Sequence, residues 1–208
     1  FVVQGDGGKS VFYHRIGIDP QEIPHITLPF HLYILKHKQE LDSKSTAIHA
    51  KMVTPDSVTI CQHPSGMISS LDPARTILLY SALDAVCIDQ IDPASFDQAI
   101  VVDSTWSQAR SITFHDQNIR KFRTVTIRPR ISHFWRFQNT DRSYMATIEA
   151  IYFLYRDFIT NRLQLEEQNG EKMPDQASDS SNTTTTTTAI AAGNDGYDGR
   201  YDDLMFYY

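Results

Sequence analysis

The stretch Ala99 to Ser111, A-I-V-V-D-S-T-W-S-Q-A-R-S, constrains the chain more than any other. Ile100-Val101-Val102 is a short β-branched apolar run, which reads as a buried strand. Asp103 closes it. Thr105 and Gln108 then have capping-box spacing, the hydroxyl accepting a first-turn amide proton while the Gln reaches back. A buried strand, a carboxylate at its carboxyl end and a helix start describe the edge at which open α/β sheets bind ligands. Two plainer readings stand beside this one: Asp103 as acceptor for turn amides, and Trp106 as core packing.

The rest of the chain alternates in the same way. Leu32–Leu35, Val58–Cys61, Thr76–Tyr80 and Arg123–Arg128 read as strands, the last ended by Pro129. Helices are expected over Ala47–Met52, with hydroxyl caps from Ser43–Thr46, and from Thr105 to about Phe114. A third runs from about Ala146 to Leu163, where Ile148, Ile151, Tyr152, Tyr155, Phe158, Ile159 and Leu163 share one face. Glu149 suits the amino end of that helix electrostatically. The small polar loop Ser81-Ala82-Leu83-Asp84 follows a buried strand and forms a second ligand edge, although Asp84 equally suits a helix cap.

Four segments follow from composition. Residues 1–30 read as an irregular lead-in, loose over the Gly-rich first ten and extended around Pro20, Pro24 and Pro29. Residues 31–165 form the body. Residues 166–199, with six consecutive threonines at Thr183–Thr188, read as a disordered low-complexity insertion. Residues 200–208 regain apolar density and read as a helical piece returning to the body.

The 208 residues suffice for one domain with a sizeable core. No apolar run reaches the roughly 18 residues of a membrane span, and no charged-then-apolar leader opens the chain, so an intracellular location, nucleus or cytoplasm, is expected. Cys61 and Cys87 cannot make a disulfide framework, and the eight histidines lack metal-ligand spacing, so no metal site is expected. The net charge of −6 is unevenly spread. Residues 1–103 carry seven basic against twelve acidic groups, 104–164 ten against four, and 165–208 two against nine. The basic segment starts beside the candidate site and is nearly all arginine, which suits bidentate phosphate contact, or else a solvated face with ion pairs. Within it, Phe134-Trp135-Arg136-Phe137 suits either a base-stacking platform or a hydrophobic mini-core.

The motif D-S-T-W-S-Q-A-R at Asp103–Arg110 resembles the signature of the DTW-domain family. Other blocks agree in order: Lys44–Lys51 after His37 and Glu40, Leu78–Ala85, Phe134–Gln138 and Thr147–Ala150, with Tyr201–Tyr207 similar to the family's eukaryotic branch one. Ser81, Ala82 and Ala146 depart from its usual proline, serine and serine. Val11–Gly17 resembles the end of a zinc-binding piece found upstream in relatives, with His14 at a cysteine position, which implies that the piece is truncated or lost here.

The resemblance implies an α/β fold with a SPOUT-like parallel sheet flanked by helices and a carboxyl-terminal knot. It implies a tRNA-uridine aminocarboxypropyltransferase, moving the 3-amino-3-carboxypropyl group of S-adenosylmethionine to N3 of a tRNA uridine, in branch one a D-loop uridine, with release of methylthioadenosine. Asp103, Thr105 and Trp106 are then the catalytic candidates. Tyr80, Ser81, Asp84, Asp103 and Thr105 are the cofactor contacts, and Lys44, Lys51, Arg110, Arg128 and Arg136 the RNA contacts. Asp103 would take the imide proton of the uridine or hold the cofactor's amino group. Two alternatives accompany this expectation: a SPOUT-like RNA methyltransferase, and a catalytically degenerate tRNA-binding module.

Overall fold

Two sheets organise the computed structural model, which describes residues 2–4, 10–12, 18–133, 144–169 and 196–208. In the smaller, β1 (Val2–Gln4) pairs antiparallel with β2 (Ser10–Phe12). This corrects the loose reading of the first ten residues: Val2-Val3 and Val11-Phe12 carry strand propensity on either side of the glycines.

The larger sheet contains β3 (His31–Lys36), β4 (Val58–Gln62), β5 (Thr76–Leu79), β6 (Val86–Cys87), β7 (Gln98–Asp103) and β8 (Arg123–Thr126). Its order is β4-β3-β7-β5-β8-β6, and every pairing is parallel. The chain is therefore an α/β protein with a parallel sheet between helices. Because side chains alternate along a strand, the central strands feed two cores. Leu32, Ile34, Ile77, Leu79, Ala99, Val101 and Val125 join one face, and Leu35, Cys61, Leu78 and Ile100 the other.

The first face is covered by α1 (Ala47–Val53) and α5 (Thr147–Asn169), with Tyr155 fully buried against Phe30 and its hydroxyl donating to the Phe30 carbonyl at 3.2 Å. The second is covered by α2 (Gly66–Ser70), α3 (Trp106–His115) and α4 (Gln117–Arg120), through Ile68, Ile112 and Ile119. The carboxyl-terminal piece returns to the first face as a short 3-10 turn, Asp202–Met205, with Tyr201, Leu204 and Tyr207 buried.

Several local readings are refined. The expected strand to Arg128 ends at Thr126. Helix α5 runs past Leu163 to Asn169, because Gln164–Gln168 are good helix formers and Arg162 pairs with Glu166 one turn on. The turn at Pro64–Gly66 opens α2. Strand β6 and helix α4 are too short to announce themselves by periodicity. The hydroxyls before α1 do not cap it, since Thr46 makes no side-chain cap bond. The Ser45 and Thr46 hydroxyls bond instead to Asp103 and to the start of α5. The low-complexity residues 170–195, the aromatic run with Arg136, and His14 lie outside the described residues.

Candidate active site

Strand parity decides where Asp103 points. It shares a face with Ala99 and Val101, so its carboxylate emerges at the sheet's carboxyl edge on the α1/α5 side. Ser45, just before α1, donates to its Oδ2 at 2.6 Å, and Thr147, first in α5, donates to its Oδ1 at 2.8 Å. The Asp103 carbonyl accepts the N–H of His37 at 3.0 Å. Thr46 Oγ1 accepts the Ile148 N–H at 3.2 Å, a second link between the starts of the two helices. Asp103 therefore ties three segments remote in sequence. The turn-amide reading does not describe it, because its partners are hydroxyls.

Asp103 is 3% exposed, and burial raises its pKa, with Ser45, Thr147 and then Lys36 pulling the other way. Lys36 stands opposite Asp103 in the β3–β7 register and pairs with Asp42. Burial lowers the Lys36 ammonium, against the pull of Asp103 and Glu40. Thr147, which makes one of the hydroxyl bonds to Asp103, is itself half-buried. Ser45, Thr147 and Lys36 were not among the expected site residues. The fixed order of the family blocks was the signal, and only the fold turns it into contact.

Glu149 sits one turn into α5 and is 2% exposed. Its Oε2 accepts from the Ala146 N–H at 2.8 Å and the Ser132 hydroxyl at 2.6 Å, and its Oε1 from the His133 N–H at 2.9 Å. It caps the helix and pins the segment after β8 beside Thr147.

Of the expected catalytic residues, Thr105 is the amino cap of α3 and both capping-box bonds form with Gln108. Gln108 also donates to Gln39, linking α3 to the loop after β3. Trp106 is not core: it is 41% exposed and packs on Tyr144 at 4.6 Å between ring centroids. Asp103, Thr105 and Trp106 thus share one edge by chain continuity.

The loop after β5 lies at the same edge. Leu79 is in register with Val101 and β8 separates β5 from β6, so residues 80–85 bridge the carboxyl end of β8. Tyr80 is half-buried and its N–H donates to Val125, whereas Ser81 and Asp84 are exposed. The N–H groups of Ser81, Leu83 and Asp84 have no partner among the described residues. Asp84 is not a helix cap; it stands in this projecting loop.

The expected cationic contacts separate. Lys44 and Arg110 are exposed, Lys44 on the approach to Ser45 and Arg110 on α3. Lys51 is not at the site: its ammonium donates to the Pro55 and Val58 carbonyls at the opposite, amino edge of the sheet. Arg128 donates to Asp89 at 2.7 Å. Among the described residues, no group of three His, Cys, Asp or Glu side chains is placed to hold a metal ion, and no helix is long and apolar enough to cross a membrane.

The model of the DTW domain matches residues 15–182. The chain belongs to the DTW-domain family. Its relatives include proteins named tRNA-uridine aminocarboxypropyltransferase 1. The one from Mus musculus is 26% identical over 79% of this chain and 70% of its own length, and the one from Xenopus tropicalis 25% over 92% and 69%. That of Rattus norvegicus is 27% identical over 79% and 70%. No solved structure matches the chain. For this DTW domain, the signature Asp closes the middle strand, the Thr caps the following helix, and the Trp stands outward beside Tyr144.

Proposed function

We propose that the chain is a tRNA-uridine aminocarboxypropyltransferase, acting on N3 of a uridine, most naturally one in the D-loop. The observation that carries the reading is the carboxyl edge of β7. There a buried carboxylate is linked outward through a half-buried hydroxyl, next to an exposed loop with open amide donors. Family membership and the names of the relatives support the same chemistry.

The residues present suit S-adenosylmethionine. Asp84 offers a carboxylate to its ammonium, the open amides of Ser81, Leu83 and Asp84 offer donors to its carboxylate, and Tyr80 offers an aromatic wall. When bound, S-adenosylmethionine supplies a sulfonium that makes the neighbouring carbon of its aminocarboxypropyl group electrophilic. The chain's own task is to remove the imide proton of the uridine and to aim N3 at that carbon in line with the departing sulfur. Burial moves Asp103 away from direct contact with the base. Thr147 accepts the N3 proton while passing its own to Asp103 Oδ1, so the proton ends on a carboxyl group that burial makes more basic than usual. Ser45 and Lys36 hold that carboxylate in place. Trp106 stands outward at the same edge, and Thr105 fixes the start of α3. Lys44 and Arg110 contact phosphate, whereas the Arg128 guanidinium is held by Asp89.

The test is incubation of the full chain with unmodified tRNA and S-adenosylmethionine, then mass spectrometry of the nucleosides. Uridine should gain an aminocarboxypropyl group, with methylthioadenosine formed in equal amount. A methyl increment with S-adenosylhomocysteine would overturn the proposal in favour of methyl transfer.

A further inference from the structure

Helix α3 buries Ala109 and Ile112 against the sheet and turns a different face outward. That outward face carries Trp106, Arg110 and Phe114, spaced four residues apart and therefore stacked on one side, about 12 Å from end to end. Trp106 is 41% exposed and Phe114 is 56% exposed. The solvent side of a surface helix is ordinarily polar, so two large aromatics there need an explanation. The Arg110 guanidinium lies 5.7 Å from the centre of the Phe114 ring, and Trp106 continues into Tyr144. The result is a continuous strip, Tyr144–Trp106–Arg110–Phe114, leaving the sheet edge where Asp103 stands.

The strip is also electropositive. No acidic residue occurs in α3. In the segment 104–164, the acids that the structure describes are engaged: Asp116 by His63, Glu149 by Ser132 and two backbone amides, Asp157 by Arg130. Arg110, and Arg120 at the end of α4, pair with no carboxylate among the described residues. Isolated aromatics alternating with unneutralised arginine match a single-stranded nucleic acid, whose bases stack and whose phosphates are anionic. A second copy of the chain fits poorly, since a two-fold contact would set Arg110 near its own mate.

We infer that the outward face of α3 is a stacking platform for unpaired nucleotides of the RNA substrate next to the target uridine, with Phe114 and Trp106 taking bases and Arg110 a phosphate. The inference rests on the reading of the substrate as tRNA, and it adds Phe114, a residue outside the family signature, to the binding surface.

The test is anisotropy of labelled, unmodified tRNA with the full chain carrying Phe114→Leu, Phe114→Trp or Arg110→Gln. Leu keeps apolar area but cannot stack, so Phe114→Leu should weaken binding roughly ten-fold. Phe114→Trp should hold it, and blunt RNA duplex should bind all three phenylalanine-site proteins alike. Arg110→Gln should lower the salt slope by about one. Wild-type tRNA affinity in Phe114→Leu, with the fold intact by thermal melting, would overturn the inference. So would loss of a self-associated species in sedimentation with tRNA affinity unchanged, which would make the face a dimer contact. Parallel transfer assays separate the two claims. tRNA held through the strip without group transfer overturns the enzymatic reading alone, whereas transfer with Phe114→Leu binding normally overturns the platform alone. No tRNA binding by the unmutated chain overturns both.

Discussion

Thr147 donates its hydroxyl to Asp103 across 2.8 Å, joining the first residue of α5 to the last residue of β7, forty-four positions earlier. One atom pair thus serves both the fold and the proposed chemistry, and substitution can separate the two. Thr147→Val keeps the shape and removes the donor, leaving a buried carboxylate short of one partner. The expected loss is about 1.5–3 kcal/mol of stability, the usual worth of a hydrogen bond to a charged group. Turnover should fall far more than that loss explains, through kcat with KM for tRNA unchanged, and Thr147→Ser should restore both. Normal kcat in Thr147→Val would remove the hydroxyl from the proton route.

Asp103→Asn tests the charge itself. Burial holds the carboxyl of the folded chain above its ordinary 3.8, so the folded state binds the proton more tightly than the unfolded state does. Such a group favours folding fully below 3.8, and that contribution is lost as pH rises through the raised folded value. Asn escapes the loss, and Ser45 and Thr147 can turn to serve its amide. Melting temperatures from acid to neutral pH should therefore show Asp103→Asn gaining on the native chain as pH rises, while transfer is abolished. If the native chain gains instead, the hydroxyls and Lys36 outweigh burial and the carboxyl is depressed.

These two tests concern a site that was only half legible in the sequence. The strand ending at Asp103, the capping box of Thr105 with Gln108, and the apolar face of α5 follow from spacing, and each forms as read. Local hydrogen-bonding patterns misled where a tertiary partner won. Ser45 and Thr46 look like helix caps, yet their hydroxyls go to Asp103 and to α5. Lys51 looks like a phosphate contact beside the site, yet the run of α1 carries it to the opposite edge of the sheet. Trp106 has the composition of core, yet the outward phase of α3 leaves it exposed. Spacing reports which face of its own element a residue occupies, and only packing reports what that face meets.

Asp157 governs the path leaving β8. It is 2% exposed, takes Arg130 in a two-pronged pair, and also accepts the Arg128 N–H at 3.1 Å. Arg130 stacks over Phe153, so its charge is held inside rather than offered to RNA. Asp157→Ala leaves that guanidinium without its counter-charge and should cost about 3–5 kcal/mol by chemical denaturation. Arg130→Met combined with Asp157→Leu removes both charges and should recover much of the loss. A double variant as unstable as Asp157→Ala would mean that the backbone bond to Arg128 matters more than the pair.

The carboxyl-terminal piece is the remaining element whose weight can be measured. Leu204 is fully buried between α1 and α5, Tyr201 packs 5.8 Å from the Tyr155 ring, and Asp202 accepts the Tyr152 hydroxyl at 2.8 Å. These contacts sit on the same pair of helices whose starts are tied to Asp103. Leu204→Ala should lower stability by about 2–5 kcal/mol, the range for emptying a core leucine site. Because Leu204 packs among core side chains and makes none of the hydrogen bonds to Asp103, tRNA affinity at low temperature should stay at the native value while the melting temperature drops. Native stability in Leu204→Ala would mean that the returning piece covers the helices without supporting them. A loss of tRNA affinity matching the loss of stability would instead make this piece part of what positions Ser45 and Thr147.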